Sequence, residues 1–247
     1  MRVKARPPSG KQPEGAPLFN RYASSYDDVV GQAVSFSGQG SEFFARAKLG
    51  LLKDLITAHM GSTRGIHLLD VGCGTGNLHA GLVAEGLQVT GVDVADGSLE
   101  VARSKNPGVQ YDLFDGCKLP FQNGSFDVSM AICVFHHVRA DLQLGLIAEM
   151  SRITRLGGLV VVIEHNPVNP LTRLAVWRCP FDKDAALLSA RQSKMLMAST
   201  GIATNTRYFL FLPFQNRISS LIERNLWWLC LGAQYCTYGI NRESRAT

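Results

Sequence analysis

Three alternate glycines, Gly72, Gly74 and Gly76, follow a short apolar run and precede a segment with helical spacing. Residues without a Cβ let the backbone turn tightly and approach a ligand closely. The dinucleotide fingerprint would place its third glycine at position 77, which is Asn77. Asp70, directly before the loop, disfavours a pyrophosphate and suits an ammonium group. The loop therefore favours a nucleoside that carries a cationic amino acid.

A second carboxylate, Asp93, ends the next apolar run, about twenty residues after Gly72. In a doubly wound sheet, a carboxylate at the end of the second strand points at the ribose hydroxyls of a nucleoside. A purely structural turn is the alternative interpretation of the glycines, and the position of Asp93 weakens it.

Short apolar runs alternate with helical segments, which predicts a parallel sheet covered on both faces. The predicted strands are 66–71, 88–93, 109–113, 126–134 and 159–164. The predicted helices between them are 77–85, 97–104 and 141–155. Gly157 and Gly158 are expected to stop the last of these helices and to turn into the fifth strand.

The regions on either side of this alternation have patterns of their own. Apolar residues recur on one helical face from Phe43 to Ile56, with Ser41 as the expected N-cap. After Glu164 we expect a helix over 190–199, strands over 206–212 and 234–240, and a helix over 217–229. The aromatic residues of 209–229 form either an apolar lid over a substrate or ordinary core packing.

The order of these landmarks resembles the class I S-adenosylmethionine-dependent methyltransferases of the small-molecule type. The segment 70–76 resembles the first motif of that family closely, and Pro is commoner than Leu at the slot of Leu156. The other matching segments are 19–27, 93–94, 115–128, 133–137 and 149–158. The resemblance covers about residues 19–165, and it does not extend to the identity of the acceptor.

This resemblance implies a fold, a cofactor and a set of cofactor contacts. The implied fold is a doubly wound, mostly parallel seven-stranded α/β sheet, Rossmann-like, with an antiparallel C-terminal strand and an N-terminal helical lid. The implied cofactor is S-adenosyl-L-methionine. The residues expected to bind it are Asp70, Gly72, Gly74, Gly76, Asp93, Val94, Asp115, Gly116, Val134 and Tyr26. Among them, Asp115 corresponds to the residue that contacts the adenine amino group.

Candidate catalytic residues follow the fourth and fifth strands, where the acceptor of a methyl group should lie. His165 is the first candidate for a general base, with Glu164 and His137 as alternates. The competing interpretation is that Glu164 and Asn166 only bind the loop to itself. His136 is equally compatible with a ligand contact and with a structural role.

The charge distribution bears on the class of acceptor. The net charge is +5, but residues 1–17 carry +3 and the last seven residues carry +1, so the body is nearly neutral. An RNA-binding surface would usually be more basic. We therefore expect a small-molecule acceptor, apolar or aromatic, methylated at oxygen in preference to carbon or nitrogen. RNA methylation and a cofactor-binding protein that transfers no methyl group are the alternatives.

The remaining expectations concern layout and compartment. Residues 1–17 are predicted to be a disordered basic leader, and 18–247 a single domain with a lid (18–60), a cofactor core (61–165) and a substrate-shaping part (166–247). No run of about 20 apolar residues predicts a transmembrane helix. The six cysteines lack the spacing of a metal site, so no metal is expected and free thiols indicate a reducing, cytoplasmic setting. The oligomeric state is left open.

Overall fold

The computed structural model describes residues 16–183, 185–214, 219, 221, 223 and 225–242. Nearly all of the predicted leader and part of the predicted helix over 217–229 therefore lie outside the described residues. None of the helices in the described ranges has the length and apolar composition that crossing a membrane requires.

Three helices precede the sheet: α1 (Ala16–Tyr22), α2 (Tyr26–Val34) and α3 (Ser41–Met60). The apolar face of α3 buries Phe43, Leu52 and Ile56, as its spacing predicts. The predicted cap at Ser41 was wrong by one residue. Ser41 is the first helical residue, and the extended Gly40 occupies the cap position without a side chain that could accept a hydrogen bond.

The central part of the chain alternates strands with helices, as predicted. Its strands are β1 (His67–Val71), β2 (Gln88–Asp93), β3 (Gln110–Leu113), β4 (Phe126–Ile132) and β5 (Thr154–His165). Its helices are α4 (His79–Ala84), α5 (Asp96–Lys105) and α6 (Ala140–Ile153). The rest of the chain forms α7 (Pro170–Arg178), α8 (Ala190–Ala198), β6 (Ala203–Phe209) and β7 (Gln234–Ile240).

The described strands form a seven-stranded sheet in the order β3-β2-β1-β4-β5-β7-β6. The first five strands pair in parallel, whereas β7 pairs antiparallel with both β5 and β6. The predicted fold class, Rossmann-like with antiparallel C-terminal strands, is confirmed. The strand order reverses at β1, between β2 and β4, and such a reversal opens a crevice at the carboxyl ends of the strands.

Apolar residues that alternate along the strands pack on opposite faces of the sheet. Leu68 and Val161 belong to the cluster under α3 and α4, whereas Leu69 and Val160 belong to the cluster under α6 and α8. Two buried layers hold the strands rigidly. Loops at the strand ends therefore have a fixed platform.

The glycine turn predicted before the fifth strand was wrong. Helix α6 already ends at Ile153, and Gly157 and Gly158 lie inside β5. Gly157 has a φ of +74°, and the register between β4 and β5 shifts at this point, as expected of a bulge. A Cβ on Gly158 would lie 2.7 Å from the carbonyl oxygen of Asp127. Gly158 therefore allows close strand pairing, and Gly157 supplies the left-handed backbone of the bulge. Strand β6 begins and ends three residues before its predicted bounds.

Candidate cofactor and acceptor site

A cleft of about 490 Å³ opens at the carboxyl ends of the strands, where the order reverses. The glycine loop after β1, the ends of β2 and β4, helices α2 and α3, and the segment after α7 all line it. We distinguish a cofactor half, built around Asp70, Gly74, Asp93 and Asp115, from an acceptor half between the N-terminal helices and the ends of β4 and β5.

The first glycine of the loop has no room for a side chain. Gly72 has a φ of +72°, and an added Cβ would lie 2.6 Å from Cγ2 of Val134. Val134 itself lines the cleft. The second glycine, Gly74, also has a positive φ but faces open space. Gly72 therefore allows two segments to approach each other, and Gly74 leaves the cleft floor open.

The third glycine, which the motif predicted to contact the cofactor, lies away from the cleft. Gly76 is not among the residues that line the cleft. A Cβ there would lie 2.7 Å from the Tyr111 hydroxyl and 2.8 Å from Nδ2 of Asn106, which donates to the Gly76 carbonyl. Its structural environment is the packing of the loop against α5 and β3.

Asp93 shapes the glycine loop and faces the cleft together with Val94. Its Oδ2 accepts from the Gly74 N–H at 2.8 Å, and its Oδ1 accepts from the Ala95 N–H at 2.9 Å. Burial raises the pKa of Asp93, although the backbone donors oppose this effect. Each carboxylate oxygen has a further lone pair, so these bonds are compatible with ribose hydroxyls as additional donors.

Asp70 has one oxygen bound and one without a partner. Its Oδ2 lies 3.0 Å from Nε2 of His79, whose Nδ1 lies 2.6 Å from the Tyr111 hydroxyl. Its Oδ1 is buried and has no hydrogen-bond partner among the residues that the structure describes. A buried carboxylate oxygen needs a donor, and an ammonium group supplies one together with a compensating charge. The site thus fits the cationic amino-acid end of S-adenosylmethionine.

Asp115 and Gly116 also line the cofactor half. Oδ1 of Asp115 accepts from the backbone N–H groups of Cys117 and Lys118, at 2.9 and 2.7 Å. Gly116 has a φ of +82°. The turn fixes the Asp115 carboxylate at the rim, where an exocyclic amino group could reach it.

The N-terminal helices are attached to the cofactor half by polar contacts. Lys105 donates to Oδ2 of Asp27 at 2.6 Å, and Nδ2 of Asn77 donates to the other oxygen of that carboxylate. Oδ1 of Asn20 accepts from the Gly97 N–H at 2.8 Å. These contacts hold α1 and α2, which we call the lid, against the cofactor half, whereas α3 of the predicted lid also packs in the core under the sheet.

Tyr26 lies on the inner side of this lid and lines the cleft. Its ring stacks on Phe181, with centroids 5.2 Å apart. Burial raises the pKa of its hydroxyl. Phe19 contacts Phe181 and also meets the His137 ring edge-on, at 4.9 Å. An aromatic wall thus faces the histidines that follow β4.

Glu164 is fully buried and is absent from the lining of the cleft. Its Oε1 accepts from the N–H groups of Val134 and Phe135, and its Oε2 contacts Nδ1 of His136 at 2.5 Å. Burial raises the pKa of Glu164, but the charge and hydrogen bond of His136 outweigh it and lower the pKa. The carboxylate thus binds the end of β4 to β5. Asn166 binds the carbonyls of Cys230 and Gly232.

His137 and His165 both line the acceptor half, together with His136 and Asp182, and we call these four residues the histidine cluster. Nε2 of His137 lies 3.0 Å from Oδ1 of Asp182, and Nε2 of His136 lies 3.6 Å from the same atom. The ring centroids of His136 lie 4.1 Å from His137 and 5.2 Å from His165. Three imidazoles and one carboxylate therefore converge at one end of the cleft.

The cluster shifts the protonation of its members in opposite directions. Burial and the neighbouring His136 lower the pKa of His165 to about 4, so its ring is neutral near pH 7. Burial also lowers the pKa of His137. Burial tends to lower the pKa of His136, but the carboxylates of Glu164 and Asp182 outweigh burial and raise that pKa well above its usual value. Burial tends to raise the pKa of the Asp182 carboxyl, but the neighbouring histidines outweigh burial and hold that pKa below its usual range.

Several lining residues carried no signal in the sequence. Asp182 and Phe181 come from an irregular segment after α7, and Lys48 comes from α3. Nζ of Lys48 lies 4.0 Å from Sγ of Cys133, which has a φ of +56°. His79 was also missed, although it carries the contact between Asp70 and Tyr111. A strained non-glycine residue at the end of β4 becomes visible only in the structure.

The aromatic residues of 209–229 do not cover the cleft. None of the described aromatic side chains in that stretch lines it, and Trp227 and Trp228 are exposed. Phe209, the last residue of β6, is buried in the core, as ordinary packing predicts. The lid interpretation was therefore wrong, and the two tryptophans are not core residues either.

Comparison with known proteins gives the same assignment as the geometry. The methyltransferase domain family model matches residues 69–162. The chain is 37% identical over 151 residues to an uncharacterized methyltransferase of Bacillus licheniformis, covering 60% of this chain and 66% of the relative. It is 35% identical over 141 residues to the malonyl-[acyl-carrier protein] O-methyltransferase of Serratia marcescens, covering 56% of this chain and 54% of the relative.

Among solved structures, a methyltransferase of Thermotoga maritima, described as a possible histamine N-methyltransferase, has a TM-score of 0.67. It is 20% identical, and the match covers 92% of this chain and 99% of that chain, which shows the common fold. The chain spans just over half to about two thirds of the curated relatives named above. The family model, the relatives and the fold together support a class I S-adenosylmethionine-dependent methyltransferase with S-adenosylmethionine as its cofactor.

Proposed function

We propose that the protein transfers the methyl group of S-adenosylmethionine to an oxygen atom of a small molecule with an apolar or aromatic body. The observation that carries this proposal is the composition of the acceptor half. Aromatic side chains form one wall, and the histidine cluster stands at its polar end. The aromatic side chains that line it are Phe19, Tyr26, Phe44 and Phe181.

The cofactor half supports this function by fixing the donor. When bound, S-adenosylmethionine supplies an electrophilic methyl group on a sulfonium. Asp70 receives the ammonium end, Asp93 and Val94 lie at the ribose, and Asp115 with Gly116 lies at the adenine. Val134 stands between the two halves and packs against Gly72. Holding the two reactants close and in line supplies most of the rate increase in such a displacement.

The histidine cluster supports oxygen as the atom that is methylated. As the new carbon–oxygen bond forms and the carbon–sulfur bond breaks, a hydroxyl must lose its proton. His165 is neutral and lines the acceptor half, so we assign it the proton, with His137 as the alternate. Glu164, the third candidate from the sequence, we assign to positioning because its oxygens bind the end of β4.

One relative has a name that agrees with this chemistry. The Serratia marcescens relative is named an O-methyltransferase. The Thermotoga maritima structure is described as a possible N-methyltransferase, and at 20% identity it supports the fold alone. Because a nitrogen acceptor is usually nucleophilic when neutral, it has less need of a base. The buried cluster of histidines therefore favours oxygen.

The test is an acceptor screen with the purified full chain. Phenols, alcohols and carboxylic acids with apolar bodies, matched amines, and total RNA are each incubated with S-adenosylmethionine. S-adenosylhomocysteine and product mass are measured. We expect one or more hydroxyl or carboxyl acceptors to gain 14 mass units, which is one methyl group replacing a hydrogen. Methylation of amines alone would contradict the assignment to oxygen.

The two other hypotheses have distinct outcomes in the same screen. Turnover that appears only with RNA and disappears after ribonuclease treatment would favour RNA methylation. A complete absence of S-adenosylhomocysteine, with cofactor binding intact, would favour a protein that does not transfer methyl groups. The nearly neutral charge of residues 18–240 supports the small-molecule proposal.

We propose further that the protein works in a reducing compartment, the cytoplasm, as one methyltransferase domain over residues 18–247. All six cysteines are free in the structure. The lid contacts the cofactor core directly through Asp27, Asn20 and Lys105, which supports a single unit. Limited proteolysis checks this layout, and we expect no stable fragment that ends between the lid and the core.

A further inference from the structure

We propose that His136, His165 and Asp182 form a binding site for one divalent transition-metal ion at the polar end of the acceptor half. One ligand atom from each residue lies within 4.8 Å of the ligand atoms of the other two. All three residues line the cleft, so an ion held there would face the acceptor. The proposal concerns the binding site first, and it stands independently of which molecule is methylated.

Asp182 provides the first independent argument. Its side chain is about nine-tenths buried, and its Oδ1 has no hydrogen-bond partner within the described part of the chain. Two ring nitrogens lie near this oxygen: Nε2 of His137 at 3.0 Å, outside hydrogen-bond geometry, and Nε2 of His136 at 3.6 Å, beyond hydrogen-bond distance. A buried carboxylate oxygen without a donor is costly, and coordination of a cation satisfies it.

His136 provides the second argument, since it is oriented as metal-binding histidines are. Its Nδ1 contacts Glu164 at 2.5 Å, which directs Nε2 towards Asp182. A carboxylate behind the ring is the usual arrangement for a histidine that binds a metal. The 3.6 Å between Nε2 and Oδ1 is near the separation of about 3.3 Å between two ligands of a tetrahedral zinc ion.

The donor set also indicates the kind of ion. Two imidazole nitrogens and one carboxylate oxygen suit zinc and neighbouring first-row ions, whereas magnesium and calcium prefer oxygen donors alone. The carboxylates of Glu164 and Asp182 lie on the two sides of the His136 ring, and a divalent cation on Nε2 would take the place of a proton on that nitrogen and offset both negative charges. Three protein ligands leave at least one coordination position for a further ligand from the cleft.

The role of the ion rests on the proposed function. An ion at this position would bind the acceptor oxygen and favour its ionised form, which is the better nucleophile. A ring nitrogen that binds a metal does not accept a proton. Metal binding would therefore replace the base role that we assigned to His165, while the same residue remains essential for turnover.

The test is a titration of the metal-free full chain with cobalt(II), followed by visible absorption, and with zinc(II) in competition. We expect one equivalent of cobalt to bind with a spectrum that lacks a strong thiolate charge-transfer band. We expect H165Q and D182N to weaken binding at least 100-fold, and E164Q to weaken it about 10- to 100-fold because it acts through His136. H67Q, at an exposed histidine, is the matched control and should bind as the wild type does.

Binding of S-adenosylhomocysteine and far-ultraviolet circular dichroism show whether each variant is folded. H165Q is the most informative variant, because His165 is only half-buried. The proposal is overturned if the folded wild type binds no cobalt at micromolar concentrations, or if H165Q and D182N bind it as tightly as wild type does. A thiolate spectrum would also overturn it, since the ion would then sit on cysteine.

The two proposals fail in different ways. If the wild type binds no metal and methyl transfer continues after complete chelation, the metal site is rejected and the proposed function stands. Tight cobalt binding without turnover on any acceptor removes the proposed function and leaves the metal site intact.

Discussion

The two halves of the cleft are built in different ways. In the cofactor half, the loop after β1, the end of β2 and the turn at Asp115 follow one another within about fifty residues of the chain. Backbone N–H groups hold two of its carboxylates, Asp93 and Asp115. In the acceptor half, the aromatic wall brings together Phe19 and Phe181, which are 162 residues apart in the chain, and side chains hold the polar groups of the histidine cluster in place. A function carried by a local motif is visible in the sequence, whereas one assembled by long-range contacts is not.

The largest effect is expected from H165Q, which changes the acceptor half alone. We expect kcat to fall by about 10²- to 10⁴-fold, the range for loss of a group that promotes proton removal. The affinity for S-adenosylmethionine should stay within about twofold of wild type. Single-turnover kinetics and calorimetry measure the two quantities separately. Unchanged turnover would show that His165 takes no part in the reaction. A loss of cofactor affinity as large as the loss of turnover would show that the two halves of the cleft are not independent.

G72A tests the contact between the halves. Alanine at a positive φ costs about 1–2 kcal/mol, and the added Cβ approaches Val134 at 2.6 Å, which adds about 1–3 kcal/mol. We expect the free energy of unfolding to fall by about 2–5 kcal/mol in urea titrations.

G74A is the matched control, because Gly74 has a positive φ but open space around its position. It should lose only about 1–2 kcal/mol of stability, although its Cβ points into a region where the cofactor lies. Equal losses for the two variants would show that close packing on Val134 is not what requires glycine at position 72.

D70N tests the electrostatic part of the cofactor half. Loss of a hydrogen bond between charged groups costs about 1.5–3 kcal/mol, so we expect affinity for S-adenosylmethionine to fall about 10- to 150-fold. Methylthioadenosine, which lacks the amino-acid end, should bind both proteins equally well. If D70N weakened both ligands to the same extent, Asp70 would act by shaping the loop through His79 instead of by binding the ammonium.

The smallest effect is expected at the amino ends of β1 and β4, away from both halves of the cleft. Asp127 accepts from the His67 N–H at 2.9 Å and from Arg155 at 2.6 Å. Burial acts upward on the pKa of Asp127, but these donors and the Arg155 charge lower it. Because Arg155 is nearly half exposed, we expect D127N to lose at most about 1 kcal/mol of stability at pH 7.

The pH dependence of that effect has a definite sign. A carboxyl whose pKa is lowered by folding stabilises the protein fully at pH values above the pKa of the unfolded chain, which is about 3.9. This stabilisation is lost as the pH falls through the lower pKa of the folded protein. Wild type and D127N should therefore differ at pH 7 in thermal unfolding, and the difference should shrink as the pH falls below about 3.9. A change in cofactor affinity of D127N would show that the sheet transmits strain to the cleft.

The same contrast explains how far the sequence could be interpreted. Alternating apolar runs predicted all five parallel strands, because buried strands have a strong and local pattern. Gly157 and Gly158 were misassigned because a glycine that relieves a bulge and a glycine that ends a helix look alike in sequence. The predicted bounds of β6 were three residues too late, because the strand is half-buried along most of its length and its apolar pattern is weak.

In the site, the motif predicted the residues that contact the cofactor but not the residues that hold them in place. The contact of Asp70 with His79 joins residues on β1 and α4, and Tyr111 on β3 completes it. Asp182 lies 45 residues after His137 and follows a segment without a regular pattern. Only the packing of that segment under the lid brings the carboxylate to the histidines, so no spacing rule for metal or catalytic residues could have indicated it.

The central claim is that the cofactor half binds its ligand independently of the acceptor half. The most direct measurement is the affinity for S-adenosylmethionine of D70N and D182N, determined side by side by calorimetry. Both replace a buried carboxylate with an amide at the same cleft. We predict that D70N binds at least 10-fold more weakly than wild type and that D182N binds within twofold of it. Equal losses in the two variants would contradict the claim, since the cleft would then be one electrostatic unit.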